Sequence, residues 1–259
     1  GVTHDGCGAA AVRCVCFTVG GSAVQGFTLV DGHSSIGGNA QSVTSMSDGS
    51  GVRGGGCYFG DSAASSCLLD CIVTNCVASR GAAVFGGRLV RCRFIGNTVM
   101  ANSGGNSIVR NCKATCCTFF DNTDRGGDIL GQQGNYYNCS LIHKAGNALN
   151  NQGGKVFNSL GSADYNASYA VGCVCGSANC SYRDMSAGDM RITTASKGIG
   201  GGVVANVADF VQYADSGMDN SRLQFVSGKP ICGAFQNPLR VIKVTSSLAG
   251  DTASVKPSG

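Results

Sequence analysis

Short apolar strings in this chain carry a cysteine, a large apolar residue and a polar corner residue at fixed offsets. Residues 91–97 read RCRFIGN, with Cys92, Phe94 and Asn97 at offsets 0, +2 and +5. CCTFFDN repeats the offsets with Cys117, Phe119 and Asn122, and CIVTNC with Cys71, Val73 and Cys76. CSLIHK opens on Cys139, with Leu141 two residues on. Side chains two apart on a strand share a face. Cys92 and Phe94 are therefore predicted to point inward, and Arg93 and Ile95 outward. Asn97 and Asn122 fall where the chain must turn, which suits a residue that tolerates a left-handed backbone.

A second marker runs alongside. Small-residue pairs stand at Gly55-Gly56, Gly81-Ala82, Gly104-Gly105, Gly126-Gly127 and Gly146-Asn147, separated by steps of 26, 23, 22 and 20 residues. A period of that length with two or three strand-like strings per repeat predicts a solenoid of stacked parallel strands. The dense leucine consensus of leucine-rich repeats is absent, and a propeller needs longer blades. The predicted fold is all-β: a right-handed single-stranded parallel β-helix of about 20–26 residues per coil, with a C-terminal cap. Its core would stack Val73, Phe94, Phe119 and Leu141 in one column beside Cys71, Cys92, Cys117 and Cys139 in another. Coils are expected over residues 1–160, last coils and a capping segment over 161–238, and terminal strands and a tail or linker over 239–259.

Composition supports short strands and tight turns: 41 glycines, 3 prolines, no tryptophan and no glutamate, so all 15 acidic residues are aspartates. Only 13% of residues are charged, yet 43% are hydrophobic, which excludes a disordered chain. The net charge of +4 comes from 19 basic residues with no run of three, so the basic stripe of a nucleic-acid binder is not expected. No apolar run approaches a membrane span. Gly1 reads as a cut edge, so a longer parent protein is expected. The 16 cysteines admit two readings: disulfides of an oxidising compartment, or small buried hydrophobes. A disulfide among Cys173, Cys175 and Cys180 is one expectation, and buried free thiols for most others. No cysteine cluster has a histidine near it, so zinc is not expected.

GAAVFGGRLVRCRFIGN is similar to the GGA-I…F-x-x-N repeat of chlamydial polymorphic outer-membrane proteins and related bacterial surface proteins. SAVQGFTLVDGHSS followed by GVRGGGCYF resembles the entry coil of secreted bacterial β-helix proteins. The resemblance covers roughly residues 20–160 and implies the fold and a secreted or cell-surface location. Downstream, Asp189, Arg191, Ile192 and Gly198, then Asp219, Arg222, Gly228, Ile231, Gly233, Ala234 and Phe235, resemble a closing segment of such proteins. Pro230 and Gln236 stand where that segment carries acidic residues.

Candidate chemistry is sparse. DNTDRGGD gathers Asp121, Asp124, Arg125 and Asp128, a candidate Ca²⁺ or glycan-contact loop on an otherwise solvated turn. Asn122–Thr–Asp124 matches the first string of pectin hydrolases of this fold, but the later carboxylate, histidine and basic strings do not follow. His4, His33 and His143 are isolated, and no G-x-S-x-G occurs. Alternation puts one of Tyr136 and Tyr137 outside, a candidate aromatic contact. The expected role is a non-catalytic, adhesin-like scaffold presenting a long face to glycans or proteins, without cofactor and with no membrane span in this chain. The alternatives are a polysaccharide lyase or glycosidase of β-helix fold, or a phage tailspike segment, which would be a trimer.

Overall fold

The computed structural model describes residues 11–34, 53–99, 107–123, 128–131, 133–142, 154–161, 170–176, 179–184, 186, 189–193, 195–199, 201–203, 225–226, 229–230, 232 and 234. Among them the chain is all-β, with strands of two to four residues and one short 3-10 turn at Asp61–Ala63. No described helix is long and apolar enough to cross a membrane.

Three parallel sheets organise the molecule. Sheet A stacks Val15–Phe17, Cys57–Phe59, Val84–Phe85, Ser107–Arg110 and Asp128–Leu130. Sheet B stacks Ala23–Gln25, Cys67–Leu69, Arg88–Val90, Lys113–Thr115, Asn135–Tyr137, Lys155–Phe157 and Ala170–Val171. Sheet C stacks Thr28–Val30, Ile72–Thr74, Arg93–Ile95, Thr118–Phe120, Ser140–Leu141, Leu160–Gly161 and Val174–Cys175. A short fourth pair joins Val77–Ala78 to Thr98–Val99. The chain visits A, B and C in turn and comes back to A, so each strand pairs with its equivalent one coil away. This is a solenoid-like arrangement.

A single left-handed residue makes each turn from B to C. Asp70, Arg91, Cys116, Asn138 and Asn158 hold that position with φ between 45° and 53°. Asn and Asp adopt it readily; an Arg or Cys there costs about 1 kcal/mol or more. Inter-coil bonds offset the cost: the amide of each donates to the next coil, as from Asp70 to the Val90 carbonyl at 2.9 Å and from Arg91 to the Thr115 carbonyl at 3.0 Å. Between C and the fourth pair, Asp31, Asn75 and Asp121 do the same, and Gly96 takes that place in its coil.

The residue after each B-to-C turn points inward. Cys71, Cys92, Cys117, Cys139, Ser159 and Cys173 therefore form one column, in register through the sheet C pairings. The first four are at most 1% exposed. Their thiols touch in sequence, Cys71 to Cys92 to Cys117 to Cys139, and each also donates to the carbonyl two residues before it. A thiol suits this place because the corner is tight and its carbonyls need only a weak donor. Two residues on, Leu29, Val73, Phe94, Phe119 and Leu141 stack in the next column. The Phe94 and Phe119 rings are parallel-stacked at 4.9 Å.

Asn97 and Asn122 are corner residues, but they do not supply the left-handed backbone expected of them. Gly96 and Asp121, one residue earlier, do. The two amides instead turn inward, 0% and 6% exposed, and bond along the stack. Asn97 Nδ2 donates to Asn122 Oδ1 and to the Val73 carbonyl, Asn122 Nδ2 donates to the Phe94 carbonyl, and Asn97 Oδ1 accepts from the Cys76 amide. An amide carries both a donor and an acceptor, so it can propagate such a chain from coil to coil.

Among the described residues, parallel pairing ends at Cys175. The next element is an antiparallel hairpin, Tyr182–Asp184 with Asp189–Ile192. Its apolar side, Tyr182, Met190 and Ile192, packs with Cys180 and Cys232 onto Leu160, Phe120, Ile142 and Val174. Leu160 and Val174 are in register with Arg93 and Thr118, on the outer side of sheet C. The amide of Ala234 donates to Ser140 on the same side. The chain thus covers the outer face of sheet C in the last coils with its own C-terminal segment.

Candidate functional site

The acidic loop expected from DNTDRGGD is only partly described. Asp121 is the half-buried left-handed corner before Asn122, and Asp128 opens a sheet A strand. Asp124, Arg125 and the side chain of Asp128 lie outside the described residues, as do His4 and His143. Among the described residues no three His, Cys, Asp or Glu side chains converge as metal ligands.

The aromatic pair needs a correction. Neither Tyr136 nor Tyr137 is on the surface: they are 0% and 3% exposed. Tyr136 points into the core, and its hydroxyl donates to the Gly131 carbonyl at 3.2 Å. Tyr137 is on the other side of sheet B, as alternation requires, but its ring is stacked on Phe157 at 4.7 Å and 8°. Ring-on-ring stacking between coils satisfies the aromatic face that a ligand would use.

The cysteines divide by position. Cys173, Cys175 and Cys180, the trio considered for a disulfide, are free thiols. Burial and neighbouring thiols push Cys92 and Cys117 well above the usual value, and burial pushes Cys112 up to about 12. Cys14 is the exception. The neighbouring Cys76 thiol lowers it to about 7, and it is half-buried and so reachable from solvent.

The feature with most chemical content is the outer face of sheet A. There Cys16, Tyr58, Phe85 and Arg110 form one column, in register across four coils. Beside it, each coil contributes an arginine: Arg13, then Arg53, then Arg80, with Arg53 and Arg80 paired directly. The first two follow a rule. Arg13 lies over the Tyr58 ring at 5.1 Å, and Arg53 over the Phe85 ring at 4.8 Å, each reaching one coil forward. Arg13 Nε also donates to the Arg53 carbonyl at 2.9 Å, while Arg53 Nε is buried without a hydrogen-bond partner. The rings beneath are only 7% and 6% exposed. A guanidinium stacked on an aromatic keeps its in-plane N–H groups available, a fork suited to carboxylate or sulfate. The third step departs from the rule: where a ring should receive Arg80, the column has Arg110. Burial, then the charges of Arg80 and Arg53, lower the pKa of Arg110.

Sequence reasoning missed this face because it looked for runs of basic residues. The signal was Arg-Gly before a strand, in VRGGGCYF and SRGAAVF. Gly54 and Gly81 are left-handed, with φ of 62° and 61°. A Cβ on either would come within 2.4 Å of a backbone carbonyl, that of Cys57 or Val84. Glycine is required at both, which fixes each preceding arginine at the same place in its coil.

On the C-terminal hairpin, Arg191 pairs with Asp189 and holds its carboxyl down to about 2, with Arg183 more distant at 3.7 Å. Ile192, the next residue of the closing-segment resemblance, is fully buried. No family model matches the chain, and no curated protein matches its sequence.

Proposed function

We propose that the sheets close into a right-handed parallel β-helix with a C-terminal cap, and that the protein is a non-catalytic, secreted or surface-exposed scaffold holding glycans against the outer face of sheet A. The observation that carries this reading is the registered column of Cys16, Tyr58, Phe85 and Arg110, with Arg13 over the Tyr58 ring and Arg53 over the Phe85 ring. A parallel crossover is right-handed in about 98% of cases, and a stack of registered coils is a rigid ruler on which side-chain spacing is set by strand spacing, about 4.8 Å. That spacing is close to one sugar unit of an extended polysaccharide. Among the described residues the C-terminal segment packs on the outer face of sheet C in the last coils, not on that of sheet A. On this reading the GGA-type and F-x-x-N-type strings mark kinship with bacterial surface proteins.

The test is a glycan array probed with the whole chain, followed by titration of any hit. Binding with micromolar or tighter affinity supports the scaffold reading. Cleavage of a bound polysaccharide, seen as new reducing ends or new unsaturated ends, would replace it with the enzyme alternative.

A further inference from the structure

We propose that Cys14 and Cys76 form a redox site: exchange with a small-molecule disulfide joins them in a bond that fastens the first coil to the second. The inference is independent of the glycan reading.

The argument starts from the corner that carries the amide chain. The sheet C register makes Gly32, Cys76, Asn97 and Asn122 equivalent, each two residues past a registered strand position. Asn122 and Asn97 bond along this stack, and Asn97 Oδ1 accepts from the Cys76 amide. Cys76 continues the pattern with a thiol: Asn97 Nδ2 donates to the Val73 carbonyl, and Cys76 Sγ to that of Leu29, the residue paired with Val73. In the first coil the stack reaches Gly32, which has no side chain. Cys14 fills the place from another segment. A Cβ on Gly32 would come within 2.6 Å of Cys14 Sγ. Cys14 Sγ also donates to the Val30 carbonyl at 3.3 Å, as Cys76 Sγ does to the equivalent Thr74 carbonyl at 3.2 Å. The two thiols therefore stand over one another and touch.

Touching thiols also line the column from Cys71 to Cys139, but those four are enclosed on every side. Only the Cys14–Cys76 pair combines one half-buried thiol with one that is 0% exposed. That division suits the two steps of thiol–disulfide exchange. Cys14, ionised near neutral pH, attacks one sulfur of the small disulfide, expels the other as thiolate and becomes a mixed disulfide. Cys76 then gives up its proton and attacks Cys14 Sγ, which releases the second small thiol. The two protein thiols lose two electrons and two protons, and the small disulfide takes them and leaves as two thiols.

The experiment treats the reduced whole chain with oxidised glutathione at neutral pH in the absence of air. Remaining thiols are then blocked in denaturant and the digest is mapped by mass spectrometry. The expected product is one cross-link, Cys14 to Cys76, with no glutathione retained. The thermal midpoint should rise by several degrees, because closing the chain between these residues restricts the unfolded state, and dithiothreitol should reverse it. Cys76→Ser should stop at a glutathione adduct on Cys14, and Cys14→Ser should leave Cys76 reduced. If either variant fails to fold by circular dichroism, the wild-type map decides alone. Glutathione retained on wild-type Cys14, a cross-link to any other cysteine, Cys16 included, or a complete lack of reaction overturns the site. A Cys14–Cys76 cross-link without a rise in midpoint overturns the fastening role.

Discussion

The corner between sheets B and C and the outer face of sheet A run through the same coils, under the same register, and each repeats one side-chain type from coil to coil. The corner repeats a neutral thiol, and the face repeats a cation. Stacked thiols cost nothing electrostatically, and each gains a weak contact with the next. Stacked guanidiniums repel unless something lies between them, and the first two steps supply a ring. Repetition is therefore a stability device inside and, on the proposed reading, a recognition device outside, and the two should respond oppositely to mutation.

The largest expected effect is on the inner column. Phe94→Ala removes a fully buried ring stacked on Phe119, and should cost about 3–5 kcal/mol in urea unfolding. Whatever remains folded should bind any glycan found on the array with wild-type affinity, because Phe94 is on sheet C and faces away from the arginines. Loss of affinity in the folded fraction would show that the two columns are not separable.

Asn97→Ala comes next. It strips a partner from the Cys76 amide, the Val73 carbonyl and Asn122 Oδ1 at once, in a place with no exposed surface. With each orphaned group costing about 1–3 kcal/mol, partly relieved by relaxation, the expected loss is about 2–4 kcal/mol. A loss below about 1 kcal/mol would mean that the amide chain only fills space.

These two residues show what a reader of the sequence could and could not see. Phe94 was legible, because inward and outward positions alternate along a strand whatever surrounds it, and Arg93 is indeed exposed while Cys92 and Phe94 are buried. Asn97 was legible as a corner but not in its role. Asparagine suits both a left-handed backbone and a buried amide chain, and only the one-residue offset of Gly96 separates them. Tyr137 was misplaced for a different reason: alternation gives the side of a sheet, not what stacks on that side, and the Phe157 ring comes from the next coil. The arginine face was invisible to a search for basic runs because its members are spread over four coils, and only the glycine that follows Arg53 and Arg80 betrays their equivalence.

Taken one thiol at a time, alkaline pH should have the next largest effect. An unfolded thiol ionises near 9, while burial keeps Cys92, Cys112 and Cys117 protonated beyond that. Above pH 9 the unfolded chain therefore binds fewer protons than the folded one, and stability falls as pH rises. Each such thiol should cost about 1.4 kcal/mol per pH unit past 9, ending near 12 for Cys112. Below pH 9 these thiols should contribute no slope. Thermal melts from pH 7 to 11 would reveal the decline, and Cys92→Ala with Cys117→Ala should flatten it. Cys14, lowered to about 7, provides the internal contrast: iodoacetamide should label it at neutral pH in the folded protein while the column stays unmodified.

The smallest effect should have the opposite sign. Arg110→Phe replaces a guanidinium that faces Arg80 and Arg53 with a ring that Arg80 can cover, extending the arrangement seen at Tyr58 and Phe85. Unfolding free energy without ligand should rise by up to about 1 kcal/mol, the sum of a removed like-charge contact and a gained cation–π pair. The repulsive part of the gain should shrink at high salt, since screening already weakens it in the wild type. If Arg110→Phe is instead less stable than wild type, the third guanidinium is part of the structure that holds these coils together.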